Sequence, residues 1–456
     1  MAWNKRQFIP GAVLVLLLAV GCGPAGEEPL SLVLVSLDTL RADRLGCYGY
    51  ERDTSPKLDR FAGDAVLFEY AVSQANETVR SHRSFFTSSY PREAMARVDK
   101  VMLAERLQQA GFATGGFTDG GPMSKDFGFH RGFDEFTEWG NGIALKRSQA
   151  LKWLDSLPAG QRFFCFIHCF DIHAPYAPPK EYRDLFGGDN PSRIEPKASA
   201  DLLRRIREII PAGGEGGTGE KPVLSDDDRR RMSDLYDGGI RYTDDELDHL
   251  FQALGERGLL ERSVVVVLSD HGEEFWDHGS VLHGHTLHQE LTRVPLVLRV
   301  PGAAPRRVAE RVALLDLLPT LLDLLGLEPA AGAEGVSLVP LLQGAADARG
   351  GPPLLSEGME TGHYALIDGG YKLIRRPDRR QYELYHIDSD PLERRDIAGQ
   401  EPERVAQMSQ VMRQHHQALA DLPRPRPPKT ARPGQTLDPR TEERLRQLGY
   451  LEPDEK

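Results

Sequence analysis

The stretch that most constrains this chain is residues 263–273, Ser-Val-Val-Val-Val-Leu-Ser-Asp-His-Gly-Glu, where a run of β-branched apolar residues stops abruptly at Asp270, His271 and Gly272. The run is too short for a helix and apolar on both faces, so it reads as a central strand of a parallel sheet covered from both sides. Asp270 and His271 then sit at the strand's carboxyl end, the edge at which open α/β sheets hold ligands and metals. Residues 31–37, Ser-Leu-Val-Leu-Val-Ser-Leu, have the same composition and end in Asp38 and Thr39. Two strands thus deliver Asp38, Asp270 and His271 to one rim. The hydroxyl- and base-rich stretch from Thr78 to Thr87 is expected as a loop between them.

With 456 residues, 40% of them hydrophobic, the chain can bury a large core, divided between one big and one small domain. Its net charge of -12 disfavours a nucleic-acid partner. At the N-terminus, Lys5 and Arg6 precede an apolar run from Ala12 to Val20, then Gly21 and Cys22. Basic, apolar, small is the order of a secretory signal, and the apolar part is too short to span a membrane. Residues 18–22, Leu-Ala-Val-Gly-Cys, resemble the lipobox of bacterial lipoproteins, which implies cleavage before Cys22 and a lipid on its sulfur. The mature chain would then be tethered to a membrane in the cell envelope, facing periplasm or exterior, with no spanning helix. The alternative is an ordinary signal peptide with an incidental cysteine. Cys47, Cys165 and Cys169 are an odd number for an oxidising compartment, and free buried thiols are expected of the latter two. With no Cys-x-x-Cys spacing, a structural zinc is not expected.

Further along, strand and helix signals alternate. Ser55-Pro56 opens a helix, Val66–Tyr70 and Phe112–Phe117 read as strands, and Val101–Ala110 and Leu145–Leu157 as helices. Phe163–His168 reads as a third buried strand and Asp226–Leu254 as a long helix. Five glycines within 211–222 mark a surface loop rather than a phosphate cradle, because no strand precedes them and no Gly-Lys-Ser/Thr follows. Val312–Leu325 reads as a leucine-rich helix broken at Pro319. Past Gly344 the pattern changes to short strands, Tyr371–Ile374 and Tyr382–Ile387, with a helix over Glu401–Leu419. The expected fold is α/β: a large, mostly parallel sheet sandwiched by helices, followed by a small α+β subdomain. The expected divisions are a signal peptide over 1–21, a linker over 22–29, a catalytic domain over 30–345 and a subdomain over 346–422. A proline-rich linker and tail helix over 423–456 complete them.

Two carboxylates and an imidazole make a candidate site for one divalent cation. Carboxylate oxygens suit calcium, magnesium or manganese, and the histidine moves preference toward zinc or manganese. Thr39 and Thr78 could complete the shell through oxygen. Asp-His-Gly alone is also a common turn. Two strand-terminal acids with a hydroxyl-bearing stretch between them are the stronger signal.

A set of motifs, in order, resembles the sulfatase family of the alkaline phosphatase superfamily. They are Leu34-Val-Ser-Leu-Asp-Thr-Leu-Arg-Ala-Asp43, Leu45-Gly-Cys-Tyr-Gly49, Thr78-Val-Arg-Ser-His-Arg-Ser84, His173-Ala-Pro-Tyr176, Ser269-Asp-His-Gly-Glu-Glu274, Arg293-Val-Pro-Leu296 and Glu383-Leu-Tyr385. The resemblance implies an alkaline phosphatase-like fold, with Asp38, Asp270 and His271 as metal ligands. Thr39 stands where many members carry a second aspartate. Thr78 falls at the position of the nucleophile, which in sulfatases is a cysteine or serine oxidised to formylglycine. Formylglycine is not expected here, because no oxidisable cysteine or serine stands at that position.

A threonine cannot expel sulfate by re-forming a carbonyl, so the resemblance turns toward the phosphodiesterase and phosphoethanolamine-transferase branches, where a metal activates a threonine hydroxyl. Gly111-Phe-Ala-Thr114 is similar to a family segment that usually continues into Gly-Lys-Trp-His, but Asp119 and Gly121 occupy the lysine and histidine positions. Arg80, Arg83 and His82 would hold the anion instead. His173 is implied as general acid or oxyanion contact, and His285, in preference to His283, as the group beside the leaving oxygen. Asp171, His173 and His285 are an alternative second metal site. The implied function is extracytoplasmic hydrolysis of a small-molecule or glycan sulfate or phosphate ester. The rivals are a phosphodiesterase or phosphoethanolamine-type transferase, and a non-catalytic surface protein that binds anionic glycans.

Overall fold

The computed structural model describes residues 30–188, 190–192, 194–195, 224–345, 349–358, 362–376, 381–422 and 436–451. Cys22 with its signal segment and the glycine-rich stretch 211–222 lie outside the described residues.

A nine-stranded sheet forms the centre. Its strands are β1 (Ser31–Leu37), β2 (Val66–Val72), β3 (Ala113–Phe117), β4 (Glu135–Thr137), β5 (Phe163–Cys169), β6 (Ser263–Leu268), β9 (Arg293–Arg299), β10 (Arg306–Val308) and β11 (Val312–Ala313). A separate ribbon pairs β7 (Glu274–Phe275) with β8 (Val281–Leu282). The order across the main sheet is β10-β2-β9-β6-β1-β5-β3-β4, with β11 also on β2. Only β9 runs against the others, pairing antiparallel with β2 and β6. β1 and β6 lie side by side in the middle, parallel, with Ser36 opposite Leu268.

Alternation along these strands divides the core in two. Leu32, Leu34, Val264 and Val266 face one layer, containing α2 (Thr78–Thr87) and α5 (Leu317–Leu324). Val33, Val35, Val265 and Val267 face the other, containing α1 (Pro56–Gly63), α3 (Ile143–Asp155) and α4 (Asp226–Glu256). Cover on both faces is what an unbroken Val/Leu run requires. Cys165 and Cys169 are buried free thiols on β5, and Cys47 is also free.

Two expectations need correction. The segment Val312–Leu325 is not one broken helix: β11 and a 3-10 turn over Leu314–Asp316 precede α5, and Pro319 sits in the first turn of α5. Proline is tolerated there because first-turn N–H groups have no intrahelical acceptor. The stretch Thr78–Thr87 is a helix from its first residue, not a loop. Glu77 caps it by accepting from the Arg80 N–H at 2.9 Å. Its polar side chains do not mark exposure, since every residue of α2 is buried.

A second, antiparallel sheet follows: β12 (Leu354–Gly358), β13 (His363–Asp368), β14 (Tyr371–Arg376) and β15 (Gln381–His386), with α6 (Pro402–Ala418) packed on it. It braces the lead-in to α2. The Ser356 hydroxyl donates to the Ser73 carbonyl at 2.6 Å and the Glu357 N–H to the Gln74 carbonyl at 2.8 Å. A buried polar joint also ties the loop after β7 to this part of the chain. His278 Nδ1 donates to Glu290 at 2.6 Å and Nε2 to the Glu393 carbonyl at 2.9 Å, while its ring stacks on His288 at 3.6 Å. With both nitrogens donating, His278 is an imidazolium and has no lone pair for a metal, although it clusters with His288 and Glu393.

Burial alone would push His278 down, but the Glu290 carboxylate outweighs it and raises the imidazole to about 9. A folded-state value above the unfolded one of roughly 6.5 stabilises the fold fully below that pH and ceases to do so as pH rises through about 9. Unfolding free energies of the parent and His278→Gln should therefore differ at pH 6 and converge at pH 10. An equal gap at both pH values would contradict the charged joint.

Candidate active site

Asp38 and Asp270 lie equal steps beyond the paired residues Ser36 and Leu268, so parallel register alone sets their side chains next to each other. Thr39 follows in a left-handed conformation, φ 60°, pinned by the Tyr236 hydroxyl donating to its carbonyl at 2.8 Å. Thr78, the first residue of α2, brings its hydroxyl over the pair. Thr78 Oγ1 lies 3.0 Å from Asp38 Oδ2 and 3.4 Å from His271 Nε2. Asp38, Thr39, Thr78, Asp270 and His271 are all fully buried.

These residues fit a divalent cation. Asp38 Oδ1, both carboxylate oxygens of Asp270 and Thr39 Oγ1 are buried without a hydrogen-bond partner, an expensive arrangement unless a cation completes it. His271 Nδ1 bonds to the Gly272 carbonyl at 2.9 Å and so carries the proton. Its Nε2, the atom a cation would take, lies 3.4 Å from Asp270 Oδ2 and 3.9 Å from Asp38 Oδ1. A second nitrogen fixed by a backbone carbonyl is how metal-binding histidines are usually oriented. Burial raises the carboxyls of Asp38 and Asp270 above the usual range, the second further raised by the first. His271, which burial would depress, is held up by Asp270 and then Asp38.

The other expected residues divide. His82 does not reach the anion position. It lies beneath α2, with Nδ1 donating to the Thr78 carbonyl at 2.9 Å and Nε2 accepting from Ser36 at 2.9 Å, among Phe85, Phe86, Phe129 and Phe166. Burial pushes it down to about 3, so it is a neutral prop for the Thr78 backbone. Both nitrogens are committed, although His82 clusters with His168 and Asp270. Arg83 donates to the Phe127 carbonyl at 2.9 Å, and Arg80 lies 3.4 Å from Glu77.

His173 donates from Nδ1 to the Ala174 carbonyl at 2.6 Å and keeps a bare, buried Nε2. Burial holds it at about 4, so in this state it is neutral and has no proton to give as an acid. His285 is turned away: Nε2 bonds to Glu274 at 2.9 Å and Nδ1 to the His283 carbonyl at 3.1 Å. His283 takes the inward place, its ring 4.6 Å from that of His271 and 5.0 Å from that of His173. Asp171 accepts from the Ile143 N–H at 2.8 Å, so Asp171, His173 and His285 do not converge on a second cation.

Three contacts escape a reading of the sequence. His168, opposite Ser36 across β1 and β5, donates from Nε2 to Asp38 Oδ2 at 3.2 Å. Glu273 accepts from His283 Nδ1 at 2.8 Å. Tyr450, from beyond α7 (Pro439–Gln447), puts its hydroxyl 3.0 Å from Thr78 Oγ1. His168 had a signal in the alternation of β5, and Glu273 one in its place beside His271. Tyr450, 372 residues from Thr78, had none.

A central, mostly parallel sheet with paired acids at its carboxyl edge and a hydroxyl at a helix start is an alkaline phosphatase-like arrangement. The sulfatase family profile matches residues 31–327, and the profile of the N-sulphoglucosamine sulphohydrolase C-terminal region matches residues 278–423. The chain belongs to the sulfatase family. Iduronate 2-sulfatase of Mus musculus is 23% identical over 363 residues, a match covering 66% of this chain and 65% of that enzyme, just under two thirds of its length. The phosphonate monoester hydrolase of Agrobacterium radiobacter superposes with a TM-score of 0.67 at 19% identity, covering 85% of this chain and 96% of that one. A protein solved with its substrate D-glucosamine-2-N,6-O-disulfate superposes at 0.71 with 18% identity, covering 86% and 99%. At these identities the superpositions speak for the fold alone.

Proposed function

We propose that this chain hydrolyses sulfate or phosphate esters of small molecules or glycans, with Thr78 as nucleophile and one divalent cation held by Asp38, Asp270 and His271. The supporting observation is the Thr78 hydroxyl, set against Asp38 Oδ2 and His271 Nε2 beside four buried oxygens that lack partners. Bound there, calcium, magnesium, manganese or zinc would lower the hydroxyl's pKa and offset the charge of the ester. Thr39 Oγ1 is placed to add an oxygen to that shell.

The remaining work falls to side chains. Thr78 donates to Asp38 Oδ2, the acceptor for its proton as the oxygen attacks phosphorus or sulfur. His168 holds the same carboxylate oxygen and fixes its direction. His82 holds the Thr78 carbonyl, and the partial positive charge of the α2 N-terminus faces the incoming anion. His173 offers a bare Nε2 that becomes a hydrogen-bond donor once an anionic ester favours its protonation. Arg80, two residues after Thr78, is the nearer of the two guanidiniums on the same helix, the other being Arg83. The esterified Thr78 has no carbonyl to re-form, so water must release it. A phosphodiesterase or a head-group transferase would share these parts and differ in the acceptor.

The relatives act on sulfated sugars and phosphonates by their names, so the panel of substrates should include aryl sulfate, phosphate mono- and diesters, a phosphonate monoester and sulfated glycosaminoglycan saccharides. Thr78→Ala and Asp270→Asn should each lower kcat by roughly a thousandfold or more, and a chelator should do the same to the parent, reversibly on adding metal. Unchanged turnover in both variants would remove this site from the reaction. Under a transferase, modified Thr78 would accumulate when water is the only acceptor.

The same proposal places the enzyme in the cell envelope, anchored through Cys22. Mass spectrometry of the mature N-terminus should find diacylglycerol on Cys22. An unmodified N-terminus further downstream would refute the anchor.

A further inference from the structure

Helix α7 packs beside the site, against Gly121, and carries Tyr450 up to Thr78. Asp438 caps it, accepting from the Arg440 N–H at 2.8 Å, and donates its own N–H to Asp126 at 2.9 Å. Thr441 and Leu445 are buried against the main domain, and Leu448 joins its core. The seat is matched to the helix. Gly121 has no side chain, and a Cβ there would come within 3.1 Å of Arg444 and 3.2 Å of Leu448. The Arg444 guanidinium lies over the Phe170 ring at 5.6 Å and 3.9 Å from Asp119. Asp119 and Gly121 are the two positions at which this sequence lacks the lysine and histidine of the family segment. The helix brings the Arg444 guanidinium and the Tyr450 ring to this wall.

Tyr450 is what this docking delivers. Its hydroxyl touches Thr78 Oγ1 at 3.0 Å and His283 Nε2 at 3.2 Å, and its ring lies parallel to His173, 5.9 Å away and tilted by 28°. The oxygen thus sits one hydrogen-bond length from the nucleophile, in the space that a non-bridging oxygen of a bound ester would share. A phenol keeps its proton at neutral pH and has one O–H to donate. Thr78 is fully buried beside it. A cavity of about 440 Å³ between α7 and Asp119, Glu138 and Trp139 leaves the seam incompletely packed.

We infer that Tyr450 is a substrate-contacting residue of the active site, delivered by α7, whose hydroxyl passes from Thr78 to a non-bridging oxygen of the bound ester. The inference rests on the hydrolase reading above. No covalent step is assigned to the phenol; it donates one hydrogen bond, which strengthens as charge builds on the ester oxygen.

Two variants test it on the full chain with its metal. Tyr450→Phe removes only the hydroxyl, and Leu445→Asp unseats α7 without touching Thr78. Against the ester best turned over in the substrate panel, each should lower kcat by roughly ten- to a hundredfold, and Tyr450→Phe should leave KM within about threefold. Unchanged kcat in Tyr450→Phe would overturn the inference. So would a rise in either variant, since the helix would then only cover the site. If the parent turns over no ester, the hydrolase reading fails on its own. Tyr450 is then judged by calorimetric titration with inorganic phosphate and sulfate: about tenfold weaker binding in Tyr450→Phe supports the contact, and equal or undetectable binding overturns it.

Discussion

The constraint on which this structure turns is the burial of two carboxylates side by side. Parallel pairing of β1 with β6 leaves Asp38 and Asp270 no freedom to separate, because their positions follow from strand register. Each is cut off from water, which raises its affinity for a proton, and Asp38 raises that of Asp270 further. Such a pair is tolerable inside a protein only when protonated or when a cation sits between its oxygens. The neighbours favour the cation. His271 donates from Nδ1 to a backbone carbonyl and turns Nε2 toward both acids. Thr39 holds a left-handed backbone that only surrounding contacts make affordable.

Around that pair the molecule arranges support in layers. His168 and Thr78 both bond to one oxygen of Asp38, leaving the other without a partner. His82, low in pKa and ringed by phenylalanines, carries no charge of its own and ties Ser36 of β1 to the backbone of Thr78. The height of Thr78 above the acids is thus set by a strand, a helix and one neutral imidazole. The second sheet then steadies the residues that lead into α2.

Much of this was legible in the sequence, for reasons that can be stated. Val264–Leu268 and Leu32–Leu37 are apolar on both faces, which few environments other than a covered parallel sheet satisfy, so the strands and the acids at their ends could be placed. The stretch from Thr78 was misread because polar residues were taken as solvated, whereas each finds a partner inside and Glu77 supplies the cap. His82, expected to hold the anion in place of the missing lysine and histidine, is instead tied between Ser36 and the Thr78 carbonyl. The choice of His285 over His283 went wrong because spacing in a turn does not say which of two alternate residues faces in; Glu273 and Glu274, also alternating, take one histidine each. Tyr450 depends on long-range docking, which local pattern does not carry.

The central claim is that Asp38, Asp270 and His271 grip one divalent cation beside Thr78. Elemental analysis of the purified protein, parent against Asp270→Asn, tests it most directly. The account expects close to one equivalent of a single divalent metal in the parent and its loss from a variant that still folds. A folded parent without stoichiometric metal, or a variant that retains the full equivalent, would contradict it.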